Sequence, residues 1–114
     1  MLILMEFSIL FGSESAARTL LYIANYGRGY CREIADTFEV SASMIQNQLE
    51  KFEQNGVLVA VNVGRSRVYE FNPRYPFKKE LLELLDKRLK VASEKELKKY
   101  YRKRMRPRRK GKPL

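Results

Sequence analysis

Apolar residues recur along the chain with two periods, and the change from one to the other marks out the elements. After Gly12, the residues Ala17, Leu20, Leu21 and Ala24 fall at helical spacing. Ser13 stands before them as a cap and Gly27 after them as a left-handed stop, which predicts a helix over residues 14–26. GRGY then reads as a turn. CREIADTF predicts a short helix with Ile34, Ala35 and Phe38 turned inward, Ala35 having the size needed where two helices cross closely. Glu39, Val40 and Ser41 make a tight connection, in which Ser41 can accept from an unpaired amide at the start of the next helix. That helix extends to about Asn55, with Ile45, Leu49 and Phe52 on its buried stripe, and Gly56 ends it.

The period then shortens. VLVAVNV and RVYEF are rich in β-branched and aromatic residues and are joined by Gly64, Arg65 and Ser66. They predict an antiparallel hairpin, closed by Asn72 and Pro73. A further helix is expected from near Pro76 to about Ala92. On it Phe77, Leu81, Leu82, Leu84, Leu85, Leu89 and Ala92 form a wide apolar face among i,i+4 charges. One small domain can use only part of that face internally. Phe77, Leu81, Leu82, Leu85 and Leu89 are therefore expected to pair two copies into a homodimer, together with the apolar opening stretch MLILMEFSILF. That stretch contains Glu6, lacks a basic start and is too short to span a bilayer, so it is expected to pack on the body or on a partner subunit.

Charge changes the picture at one end. The chain has 114 residues, a formal net charge of +10 and a pI near 9.9, which point to an anionic partner. Residues 95–114 hold eleven Lys or Arg against one acid, Glu96, whereas residues 1–94 balance twelve bases with twelve acids. The expected organisation is a folded unit over residues 1–94 and a basic tail over 95–114, disordered beyond about residue 106. Pro107 and Gly111 forbid a continuous helix there. In the tail, Arg102, Lys103, Arg104, Arg106, Arg108, Arg109 and Lys110 can neutralise phosphates and release counterions, strengthening binding while reading little sequence. It lacks the apolar anchors of an interfacial helix, so no membrane partner is expected.

The single cysteine, Cys31, and the absence of histidine leave no zinc set and no acid–base or nucleophile pair, so neither a metal, a cofactor nor an enzymatic activity is expected. An unpaired cysteine fits a reducing cytoplasm. Other polar residues carry the candidate chemistry. Ser41, Ala42, Ser43, Gln46 and Asn47 place short side chains at the N-terminal end of the third helix, where the dipole and free amides favour phosphate. Small amides and hydroxyls suit base edges, and they suit water equally. Arg65, Ser66 and Arg67 sit at the hairpin tip, and Arg28, Arg32 and Lys51 are single cations that can hold a phosphate backbone.

LFGSESAARTLLYIANYG, REIADTFEVSASMIQNQLEKFEQNGVL and VGRSRVYEFNP together resemble winged helix-turn-helix transcriptional regulators of the broad ArsR-like and MarR-like group. The resemblance covers roughly residues 10–75. It implies an α+β, mostly helical fold whose third helix reads double-stranded DNA through Ser41, Ala42, Ser43, Gln46 and Asn47, while the hairpin wing reaches phosphate or a narrow minor groove. Metal-sensing ArsR proteins carry paired cysteines or histidines, which this chain lacks. The function expected is a sequence-specific DNA-binding regulator acting as a dimeric repressor. The alternative is a winged-helix module for RNA binding or protein assembly, with the tail anchored on RNA.

Overall fold

Ser13 sets the first long helix in register. Its Oγ accepts from the Ala16 amide at 3.1 Å and opens α1 (Glu14–Tyr26), which ends where Gly27 takes φ 91° and donates its N–H to the Ile23 carbonyl at 2.8 Å. The computed structural model describes residues 6–102. Ala16, Ala17, Leu20, Leu21 and Ile23 of α1 are sealed from solvent and form the centre of the core.

The stretch read as a turn contains a short strand, β1 (Gly29–Tyr30), paired antiparallel with a strand some forty residues later: Gly29 lies opposite Tyr69 and Tyr30 opposite Val68. Two residues are too few to show an alternating pattern. Gly29 is required sterically, because a Cβ there would come within 2.9 Å of the Tyr22 ring.

Next come α2 (Cys31–Phe38) and α3 (Ala42–Gln54). Between them Glu39 adopts φ 59° and its amide closes onto Ala35 and Asp36, an unusual conformation for a residue with a Cβ. Ser41 caps α3, its Oγ accepting from the Met44 amide at 3.2 Å. Ile34, Ala35 and Phe38 from α2 meet Ile45, Leu49 and Phe52 from α3 in the same core as α1.

The hairpin consists of β2 (Leu58–Val63) and β3 (Ser66–Phe71), in register from Leu58 opposite Phe71 to Val63 opposite Ser66. Ser66 is thus the first residue of β3, and the loop is Gly64–Arg65 alone. Gly64 takes φ 62°, the positive-φ residue that short hairpin loops place first. The sheet order is β1-β3-β2.

The C-terminal part departs from expectation in two ways. α4 (Lys78–Lys90) buries Leu85 completely in the protomer's own core, and Leu81 and Leu89 pack against that core. The apolar face predicts these three residues at a dimer interface; their i,i+4,i+8 spacing instead makes the stripe that docks α4 on α1. Phe77 is 63% exposed at the α4 N-cap, and Leu84 and Val91 are also exposed.

The chain from residue 95, assigned to the tail by its charge, instead belongs to the body as far as Tyr101. Ser93 caps α5 (Glu94–Glu96), which continues as a π-helical turn, Leu97–Tyr101. Tyr101 is buried, its carbonyl accepts from Asn25 Nδ2 at 2.8 Å, and the Tyr100 carbonyl accepts from the Tyr26 hydroxyl at 2.6 Å. Arg18 lies over the rings of Phe38 and Tyr100, 5.2 and 5.6 Å from their centroids. Leu97, Tyr100 and Tyr101 supply enough apolar surface to dock the turn while Lys98 and Lys99 stay in water. Arg102 pairs with Glu94. The other tail residues named above, Lys103, Arg104, Arg106, Arg108, Arg109 and Lys110, lie outside the described residues, as do Met1–Met5.

At the other end, residues 6–8 are helical and Ile9–Phe11 form a 3-10 turn. Phe7 and Phe11 pack inward with ring centroids 5.1 Å apart, leaving Ile9 and Leu10 largely exposed.

Candidate nucleic-acid interface

The start of α2 is tied to the start of α3 by a thiol. Cys31 Sγ donates to the Ala42 carbonyl at 3.2 Å, and burial, the largest influence on it, raises the thiol pKa above its ordinary value. Cys31 is therefore a protonated donor at neutral pH, adding one hydrogen bond to the apolar packing that sets how the two helices cross.

With that crossing set and Ile45, Leu49 and Phe52 committed to the core, the opposite side of α3 faces outward. Ser41, Ala42, Ser43, Asn47 and Lys51 are all exposed on it. The hydroxyls of Ser41 and Ser43 lie 3.3 Å apart, and Lys51 Nζ is 5.2 Å from the Phe52 ring centroid. Asn47 has no hydrogen-bond partner among the described residues, so both ends of its amide are free to pair with a base edge. Gln46 is half-buried and occupied: its Nε2 donates to Glu50 Oε2 at 3.1 Å and to the Tyr69 hydroxyl at 3.3 Å.

The wing divides its two arginines. Arg65 is exposed in the loop with no partner among the described residues, a free cation at the tip. Arg67, expected beside it at the tip, lies in β3 and turns back onto α3. Its Nη2 donates to Glu53 Oε2 at 2.8 Å and its Nε to the Tyr69 hydroxyl at 3.2 Å. The hydroxyl first, then the carboxylate, hold the Arg67 pKa above its ordinary value. Tyr69 is thus the junction between helix and wing: its ring is sealed in the core and its oxygen receives both Gln46 and Arg67. Ser66 is exposed at the base of the loop, and Arg32 on α2 and Arg28 before β1 are exposed as well.

Three further residues belong to this region. Glu50 falls one turn beyond Gln46 and follows from helical spacing. Met44, exposed beside Ser43, follows from the same periodicity. Tyr69 has no local signal, because its partners lie on another element. Among the described residues, no group of three or more His, Cys, Asp or Glu is placed to hold a metal, and no helix is long and apolar enough to cross a membrane.

A three-helix core whose second and third helices cross through a tight turn, followed by a hairpin beside the third, is a winged helix-turn-helix fold. Among solved structures, that of a double mutant of Lactococcus lactis ZitR in apo form is similar, with a TM-score of 0.53 over 82% of this chain and 78% of that one at 15% sequence identity. At that identity the likeness is one of fold. No protein-family model matches the chain, and no curated protein does.

Proposed function

We propose that the chain is a sequence-specific double-stranded DNA-binding regulator acting as a homodimeric repressor. The observation that carries this reading is the exposed amide of Asn47 on the outward face of α3, without a partner among the described residues, on a helix joined through Gln46 and Tyr69 to a wing that ends in the exposed cation of Arg65. A major groove about 12 Å wide admits such a helix, and the wing can then hold phosphate beside it.

Pairing of two copies is assigned to the apolar side chains that the protomer leaves uncovered. Ile9, Leu10, Phe77, Leu84 and Val91 are between 39% and 79% exposed. With the half-buried Leu82 they take the role first expected of Leu81, Leu85 and Leu89. A two-fold dimer sets two α3 helices about 34 Å apart, one turn of DNA, and occupancy of a promoter would exclude polymerase.

Selection of bound sequences from a random duplex pool tests the reading, with an inverted-repeat motif as the expected result. Equal competition by all duplexes, or stronger binding to folded RNA at matched salt, would refute it. Removing residues 102–114 is expected to weaken binding and lower the log–log salt slope by about 0.9 for each phosphate the tail neutralises, with the preferred motif unchanged.

A further inference from the structure

The geometry points to cytosine as the base read at the centre of α3, with Gln46 and Glu50 presenting hydrogen-bond acceptors only. This deepens the proposed function and rests on α3 being the reading helix.

The orientation of the Gln46 amide is determined by its neighbours. A carboxylate accepts and does not donate, so the group placed 3.1 Å from Glu50 Oε2 is the –NH₂. Turning the amide over would set Oε1 against that carboxylate oxygen, acceptor against acceptor. The two N–H bonds of Nε2 are then spent, one on Glu50 and one on the Tyr69 hydroxyl at 3.3 Å. Tyr69 holds this arrangement from the core side: it is 1% exposed, and the same oxygen is steadied by Arg67 Nε at 3.2 Å. What Gln46 has left is Oε1, which has no partner among the described residues and is not sealed from water.

Glu50 lies exposed on the same outward side, one turn further along α3. Two neighbouring acceptors, one of them a carboxylate, therefore face whatever lies against this part of the helix. In the major groove, guanine offers O6 and N7 and thymine offers O4, all acceptors, which these residues repel. Cytosine offers N4–H₂ with no acceptor of its own beside it. Adenine offers N6–H₂ but sets N7 next to the carboxylate. The expected order is cytosine, then adenine, then guanine and thymine. The common bidentate pairing of glutamine with adenine is closed to Gln46, since it needs the N–H that Tyr69 and Glu50 have taken; Asn47, whose amide is free, is left to make it. Tyr69 is accordingly a positioning residue: it touches no base and sets which atom of Gln46 can.

Random-duplex selection with the full chain and with Glu50→Gln and Tyr69→Phe tests the assignment. The wild type is expected to favour cytosine over guanine and thymine about tenfold at one position of each half-site. Glu50→Gln should reduce that preference to within about twofold there and leave the rest of the motif intact. Tyr69→Phe frees one Gln46 N–H and should raise the acceptance of adenine at the same position. A wild-type motif with guanine or thymine where Glu50→Gln acts, or a motif that neither variant alters, overturns this inference and leaves the DNA-reading function standing. A wild-type protein that enriches no motif overturns both. Glu50 is exposed, so its variant carries the test alone should Tyr69→Phe unfold in a urea melt.

Discussion

On the face formed by α3 and the wing, the Arg67 side chain is 51% exposed and is shared between Glu53 and Tyr69; on the α4 side, the Arg88 side chain is 3% exposed, pairs with Glu96 at 2.8 Å, and leaves Nε and Nη1 buried without an acceptor among the described residues. The same kind of ion pair plays different parts in the two places. Water screens the first, so its hydrogen bonds cost little to exchange when another partner arrives. The second is shielded, so the guanidinium depends on the Glu96 carboxylate to offset the loss of hydration. The Arg67–Glu53 pair on the α3 face is open to exchange, whereas the Arg88–Glu96 pair under α4 holds the terminal turn in place.

The contrast is sharpest where a partner is removed. Glu96→Ala would strand the Arg88 charge and is expected to destabilise the fold by about 3 kcal/mol in urea denaturation, whereas Arg88→Met should lose much less, because the shielded charge goes with its partner. A loss under about 1 kcal/mol for Glu96→Ala would show that Arg88 is hydrated and that the two faces are alike.

On the other face, the corresponding change is expected to alter recognition and spare stability. Asn47→Ala is expected to reduce discrimination between preferred and random duplex about tenfold, or roughly 1.4 kcal/mol, with an unchanged urea midpoint. Equal losses on both duplexes would reduce Asn47 to a solvated surface residue.

Alkaline pH separates the faces by a smaller margin. Burial, chiefly, pushes the Tyr101 pKa well above its ordinary 10.0, so the folded state disfavours the phenolate. The stability tied to this group is complete below pH 10 and declines as pH climbs toward the folded pKa. A loss of about 1 kcal/mol is expected near pH 10.5, lessened in Tyr101→Phe and measurable by denaturation at a series of pH values. A wild type and variant that lose stability in parallel would place the alkaline sensitivity elsewhere; Tyr22, also raised by burial and by Glu33, is the next group to replace.

The smallest effect belongs to the wing. Glu53→Gln weakens a pair with both members in water and should leave the urea midpoint nearly unchanged, while leaving Arg67 freer to reach phosphate. A clear drop in that midpoint would mean that the Arg67–Glu53 pair anchors the hairpin.

Much of this architecture is legible along the chain because its signals are local. Ser13, Ser41, Gly27 and Gly56 act within a turn of their own positions, and the 3.6-residue spacing of Ile45, Leu49 and Phe52 needs no distant partner to be read. Leucines on α4 are visible as an apolar face, yet periodicity cannot say whether a stripe meets its own domain or another copy. The segment 95–101 misleads for a related reason: its lysines dominate the count, while Leu97, Tyr100 and Tyr101 do the packing. The exposed face of α3 follows from the same stripe that buries Ile45.

What the sequence alone determined is therefore the order of helices and hairpin, the caps between them, and which side of α3 is polar, since each depends on residues within a few positions of one another. Only the tertiary structure decided that Gly29–Tyr30 forms a strand, that Arg67 turns back onto α3 while Arg65 does not, and that Tyr69 holds the Gln46 amide. Those outcomes are hydrogen bonds between groups far apart in the chain, whose distance and direction exist only once the core has brought the elements together.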